Sequence, residues 1–251
     1  MGRQDSQAFD LRASGHRVEA PPLAIFQVTE TSHERSGSSD PYDALIVDFG
    51  GVLTNPLQES LDAFAVSVGL ELQDLVRVML PIYSGQEDPV VERFESGKVD
   101  EEEFDRELAR RLEDTTGTKV EPQGLVGRIF AGTHLEPSML ELLTAVRRGG
   151  MKTALLSNSW GMSGYPRELT ADLFDVTVIS GEVGLRKPDP AIFALTLERL
   201  GLPAARCIFV DDYPGHLDPA QAAGMTAILH LSPERTIARV RELTGISLDA
   251  S

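Results

Sequence analysis

From Ala44 onward, short apolar runs alternate with amphipathic helical patterns, and few folds accept that rhythm. Runs at 45–48, 153–157, 176–180, 207–211 and 226–229 are short and apolar, as buried strands are. Helical patterns follow at 138–148, 166–173, 190–200, 217–223 and 233–243. Pro190 suits a first helical turn, and Gly149 and Gly201 suit helix ends. Strands alternating with helices predict an α/β fold, a doubly wound parallel sheet with helices on both faces.

The segment from Pro56 to about Thr133 breaks the rhythm. It offers no good strand but several helical patterns, at 57–68, 72–79, 87–96 and 101–112. Asp100 followed by Glu101, Glu102 and Glu103 reads as an acidic N-cap and first turn in preference to a metal site. A helical block between the first strand and the rest of the sheet predicts an inserted cap. The expected organisation is an extension at 1–40, a core made of 41–56 and 134–251, and a helical cap at 57–133. The extension is polar and irregular and reads as flexible, with residues 23–28 alone patterned for a short strand. Internal repeats are not evident.

Composition narrows the partners. The 251 residues carry 23 Lys and Arg against 39 Asp and Glu, a net charge of −16. Such a surface disfavours non-specific binding to nucleic acid or to anionic lipid, so neither is expected as a partner. A phosphate-binding site in this chain must then find its positive charge locally, from a metal or a few chosen Lys and Arg. The single cysteine, Cys207, allows no internal disulfide and suits a reducing cytosol, which predicts a cytoplasmic protein. It lies in the apolar run Cys207-Ile208-Phe209-Val210, where packing is the expected role. No apolar stretch approaches the roughly 20 residues needed to span a bilayer. The first six residues fit the short myristoylation pattern, but that pattern is permissive and a soluble tail is the simpler reading.

Four pieces carrying reactive groups fall at expected strand ends. The run Ala44–Val47 ends in Asp48 and breaks at once into Phe49-Gly50-Gly51. A carboxylate at the C-terminal end of a parallel strand lies where open α/β sheets bind ligands, and glycines there let backbone approach a ligand closely. The second piece, Ser157-Asn158-Ser159, offers hydroxyl and amide groups to phosphate oxygens. Arg186-Lys187-Pro188-Asp189 places cations just before a helix, and Pro188 stiffens the turn. The fourth, Asp211-Asp212-Tyr213-Pro214-Gly215-His216, pairs two carboxylates at another strand end. Asp48 suits a nucleophile or a metal ligand, and Asp211 with Asp212 suits a hard cation. Magnesium favours such sparse carboxylate sites, completed by water and phosphate. Lys187 can neutralise the nucleophile and an incoming phosphate, while Ser157 donates a hydrogen bond.

In this order, the four pieces and the helical insertion resemble the haloacid dehalogenase superfamily. The likeness covers Tyr42 to about Leu243. The stretches Phe209–Leu217 and Ser157–Trp160 are similar to phosphatase-like domains related to the N-terminal half of soluble epoxide hydrolase. The resemblance implies a Mg2+-dependent hydrolase, most simply a phosphatase of a small phosphorylated metabolite. Asp48 would attack phosphorus to give an aspartyl-phosphate, which water then cleaves. Asp48, the Gly50 carbonyl and Asp212 would hold Mg2+, with Asp211 supporting the metal shell. Gly51, Ser157 and Asn158 would meet the phosphate beside Lys187. Nothing in the pattern indicates an oligomeric state.

Gly50 departs from the family, which usually has a second aspartate there to protonate the leaving group and activate water. That help is typically worth about 10²–10⁴-fold. Its absence predicts good leaving groups, such as anomeric or acyl phosphates, or a proton from water or the cap. It also keeps two alternatives open: a metal-independent 2-haloacid dehalogenase, and a non-catalytic binding protein. The dehalogenase gives no reason for the Asp211-Asp212 pair. His216 stands where relatives often have Asn or Asp, and suits either an outer-shell group or a helix cap. Trp160 reads as a packing or pocket-wall residue, and His16, His33, His134 and His230 have no metal-ligand spacing.

Overall fold

The computed structural model describes residues 42–83, 88–160, 165 and 172–247. The expectations for residues 1–40, the acylation pattern among them, lie outside the described residues. So does most of the helix expected at 166–173, of which Asp172 and Leu173 are described and helical.

Five strands form one parallel sheet: β1 (Ala44–Val47), β2 (Lys152–Ser157), β3 (Val176–Ile179), β4 (Cys207–Asp211) and β5 (Thr226–Leu229). Their order is β3-β2-β1-β4-β5. The chain walks outward from β1 through β2 to β3, then crosses back to lay β4 on the other side of β1. That reversal makes the C-terminal end of β1 a topological switch point, where open α/β sheets bind ligands. All four residues of β1 are buried, because helices cover both faces and no position can be polar. Leu45 and Val47 face one layer with α6 (Pro137–Arg148) and α10 (Pro233–Thr244). Ala44 and Ile46 face the other with α8 (Pro190–Leu200) and α9 (Pro214–Ala222). Each fully buried Leu, Ile or Val contributes about 1.5–3 kcal/mol, so this double-sided burial sets the strand register firmly.

Between β1 and β2 the chain builds a helical lobe: α1 (Leu57–Val68), α2 (Leu72–Tyr83), α3 (Pro89–Glu95), α4 (Glu101–Thr116) and α5 (Leu125–Ile129). It has its own apolar cluster, including Phe64, Leu75, Phe94, Phe104, Leu108, Leu112 and Ile129. The Phe94 and Phe104 rings stack at 4.0 Å with 1° between their planes. Asp100 accepts a hydrogen bond from Glu103 N at 2.8 Å, so the acidic run is a helix cap and first turn. The two strands of chain joining lobe to sheet meet in an antiparallel bridge, Thr54 with Leu135.

Three elements differ from expectation. The helix expected at 217–223 begins at Pro214, whose fixed φ and missing N–H suit a first turn. The α5 helix and α7 (Ser180–Val183) were not anticipated, since one turn carries no readable period. Among the described residues, no helix is long and apolar enough to cross a membrane.

Candidate active site

Register assembles the site. Val47 pairs with Val210 on one side and Leu155 on the other, and Asp48 N donates to Val210 O at 2.9 Å. Asp48, Asp211, Asp212 and Ser157 therefore emerge together at one end of the sheet. Carboxylate oxygens of Asp48, Asp211 and Asp212 lie within 4.8 Å of one another. Among the described residues no other group of three His, Cys, Asp or Glu side chains is as close.

Lys187 reaches this cluster from the loop before α8 and is fully buried. Its Nζ lies 3.0 Å from Asp48 Oδ1 and 2.5 Å from Asp211 Oδ2. Burial alone would lower its pKa, but Asp211 and Asp48 outweigh that and hold it charged. Asp211 uses both oxygens: Oδ1 accepts from Tyr213 N at 2.9 Å and meets His216 Nδ1 at 3.0 Å. Burial would raise its pKa, yet Lys187 and His216 hold it down at about 2. Asp211 thus braces the lysine, and His216 braces Asp211 without capping a helix.

The other two carboxyls move the opposite way. Burial raises Asp48, with Asp211 adding and Lys187 opposing. Asp48 Oδ1 has the Lys187 ion pair but no hydrogen bond of good geometry. Asp212 keeps exposed surface, but its carboxyl lies against Gly51, where a Cβ would fall 2.2 Å from Oδ2. Removal from water there, with the charges of Asp48 and Asp211, pushes it well above the usual range. Three carboxyls sharing one lysine leave negative charge in excess. Hard oxygen donors at this spacing, one of them lacking a hydrogen bond, fit Mg2+.

The groups expected at the phosphate are differently employed. Gly51 has φ +69°, and its N–H donates to Thr54 Oγ1 at 2.9 Å. Asn158 clasps the backbone of Lys187: Oδ1 accepts from its N–H at 2.8 Å, and Nδ2 donates to its carbonyl at 3.0 Å. Asn158 is therefore placed to hold the lysine loop, a tertiary contact invisible in the sequence. Ser157 Oγ shares a 2.9 Å hydrogen bond with the Tyr165 hydroxyl. Gly50 lies in the turn after Asp48, and a Cβ there would meet only the Leu57 methyls at 3.7 Å.

Sequence reasoning missed Tyr165 and Glu95. Tyr165 also tilts against Phe49 at 4.9 Å, and burial raises its phenol. Nothing in its local pattern marks it. Glu95 ends α3 in the lobe, is 3% exposed, and accepts from Arg186 Nε at 2.6 Å. Burial raises it to about 7, with Arg186 opposing. The available signal was periodicity: Val91, Phe94 and Glu95 share the inward face of α3, and the glutamate interrupts an apolar stripe.

A family model described as haloacid dehalogenase-like hydrolase matches residues 42–224. The mouse protein "Acyl-CoA dehydrogenase family member 10" is 32% identical over 82% of this chain and 20% of its own length. Pig "Bifunctional epoxide hydrolase 2" is 28% identical over 65% of this chain and 32% of its own. The chain thus spans about a fifth to a third of these longer relatives. The "Sesquiterpene phosphatase astK" of Aspergillus oryzae is 29% identical over 81% of this chain and 97% of its own. A solved enzyme from Bacteroides thetaiotaomicron, in complex with magnesium and inorganic phosphate, superposes with a TM-score of 0.53 at 21% identity. It matches 75% of this chain and 93% of its own.

Proposed function

The chain belongs to the haloacid dehalogenase-like hydrolases, and we propose that it is a Mg2+-dependent phosphatase of a small phosphorylated metabolite. One observation carries the reading: a carboxylate at the sheet end, Asp48, held 3.0 Å from a fully buried lysine amid two further aspartates. A dehalogenase attacking carbon has no use for that excess of carboxylate. Relatives named as phosphatases support the same reading.

An Asp48 oxygen would attack phosphorus as the bond to the leaving oxygen breaks, giving an acyl phosphate. Water then attacks that phosphorus, releasing phosphate and restoring the carboxylate. Mg2+, held by Asp48, the Gly50 carbonyl and Asp212, would supply charge neutralisation at the phosphoryl oxygens. Lys187 would meet the same charge from the protein side, kept protonated by Asp211. Ser157 would donate to a phosphoryl oxygen, trading its bond with Tyr165. The helical segment 57–133 serves as a cap over the sheet end. With glycine at 50, the leaving group departs without a proton from that position, which favours anomeric and acyl phosphates.

The test is phosphate release from a panel of sugar, acyl and aryl phosphates, with Mg2+ and with chelator. Asp48→Asn should lower release on the order of 10⁴-fold or more. Full activity in that variant would sink the nucleophile assignment. Gly50→Asp, which has room for its Cβ, should raise turnover of alkyl phosphates on the order of 10²-fold. If only Gly50→Asp turns over, the wild-type site binds without hydrolysing.

A further inference from the structure

We propose that Glu95 is a positioning residue for Lys187, coupling the final placement of the lysine to the seating of the helical lobe on the sheet. The kinetic part of this inference rests on the phosphatase reading; the structural part does not.

The contact is built from several sides. Glu95 Oε2 accepts from Arg186 Nε at 2.6 Å and lies 3.5 Å from Asn158 Nδ2. Its own carbonyl accepts from Ser180 Oγ at 2.5 Å, and that hydroxyl accepts from Ser159 N at 2.7 Å. Two residues on, Gly97 has φ +68°, and a Cβ there would fall 2.5 Å from Gly181 O. The corner at 95–97 is therefore seated on the sheet's loops at backbone contact distance, in a position only glycine permits. Two of these residues also flank the lysine. Asn158 clasps the Lys187 backbone from both sides, and Arg186 precedes it in the chain. Glu95 thus holds both neighbours of the group that faces Asp48.

A buried carboxylate is a costly way to join two layers. An apolar contact of similar volume would often hold them as well or better. Arg186 also has a second carboxylate near, Glu92, at 3.6 Å, so its charge does not depend on Glu95 alone. What Glu95 adds is direction: one oxygen meets both the guanidinium that precedes Lys187 and the amide that clasps its backbone. A displacement of about 1 Å at a group facing the reacting atoms can cost about 10²-fold.

The experiment compares wild type with Glu95→Ala, Glu95→Gln and Glu92→Gln. It reads p-nitrophenyl phosphate hydrolysis with Mg2+, and hydrogen exchange across residues 184–189 and across α4. Glu95→Ala should lower kcat by about 10–100-fold with KM changed by less than about threefold. Exchange at 184–189 should quicken while α4 stays protected. Glu95→Gln should recover most of both losses, because its amide oxygen still accepts from Arg186. Glu92→Gln should match wild type. Unchanged exchange at 184–189, unchanged kcat in an active protein, or equal loosening of α4 without recovery by Gln would each overturn the proposal. If wild type releases no phosphate from any substrate, the phosphatase reading fails, and the exchange comparison still decides the role of Glu95.

Discussion

The end of the sheet and the underside of the helical lobe each bury a carboxylate against a cation, with opposite results. Asp211 is held at about 2, whereas Glu95 is pushed up to about 7. Both are almost fully buried, at 0% and 3% exposure, so burial alone does not separate them. The surroundings do. Asp211 has a lysine at 2.5 Å, an imidazole at 3.0 Å and a backbone N–H at 2.9 Å. Glu95 has one guanidinium nitrogen at 2.6 Å and an amide at 3.5 Å; the charge of Lys187 helps it without a direct bond, and Asp48 repels it. One directly bonded cation does not repay the desolvation of Glu95; a directly bonded cation with two further close donors repays that of Asp211.

Breaking the sheet end should have the largest effect. Lys187→Met leaves Asp48 and Asp211 buried without their cation, which should cost about 3–5 kcal/mol of stability. Turnover should fall by about 10²–10³-fold. Urea unfolding and phosphate release measure the two, and a stable, active variant would dissolve the contrast drawn above.

A smaller effect is expected from Gly51→Ala. Its Cβ would sit 2.2 Å from Asp212 Oδ2 at a φ of +69°, so the aspartate must move. Mg2+ binding, followed by calorimetry, should weaken by about 10–100-fold.

The smallest effect sharpens the comparison through pH. Glu95 has a raised pKa in the folded state, so its contribution to stability is present below its ordinary value and lost as pH rises through about 7. Glu95→Gln removes that slope. Urea midpoints between pH 4 and 8 should therefore decline more steeply in wild type than in the variant. Asp211 works in the other direction, its contribution being lost only as pH falls toward about 2. Parallel curves for wild type and Glu95→Gln would mean that the glutamate is not held protonated by burial.

The legible parts of the molecule were those whose chemistry and position coincide in the chain. Alternating apolar runs gave away all five strands, because strands buried on both faces must be continuously apolar. Asp48, Asp211 and Asp212 were visible for the same reason: a charge that closes such a run sits at the sheet's end. Lys187 was marked by the proline after it. The hydrogen bonds of Gly51 and Asn158 were not legible, since their partners, Thr54 Oγ1 and the Lys187 backbone, are chosen by tertiary placement. Glu95 was hidden among the lobe's many carboxylates, most of which are solvated. The short helices α5 and α7 escaped because five and four residues cannot display a 3.6-residue period.

Trp160 leaves the loop after β2 and enters the lobe's aromatic group, edge-on to Phe94, Phe104 and Phe130 at 6.4, 6.1 and 5.5 Å. A wall of the lobe's interior is therefore supplied by a residue encoded some thirty positions beyond the lobe's last helix. The lobe is not a portable module. Transplanting residues 57–133 onto another sheet of this family would expose three phenylalanines unless the recipient already offered an indole at the matching place.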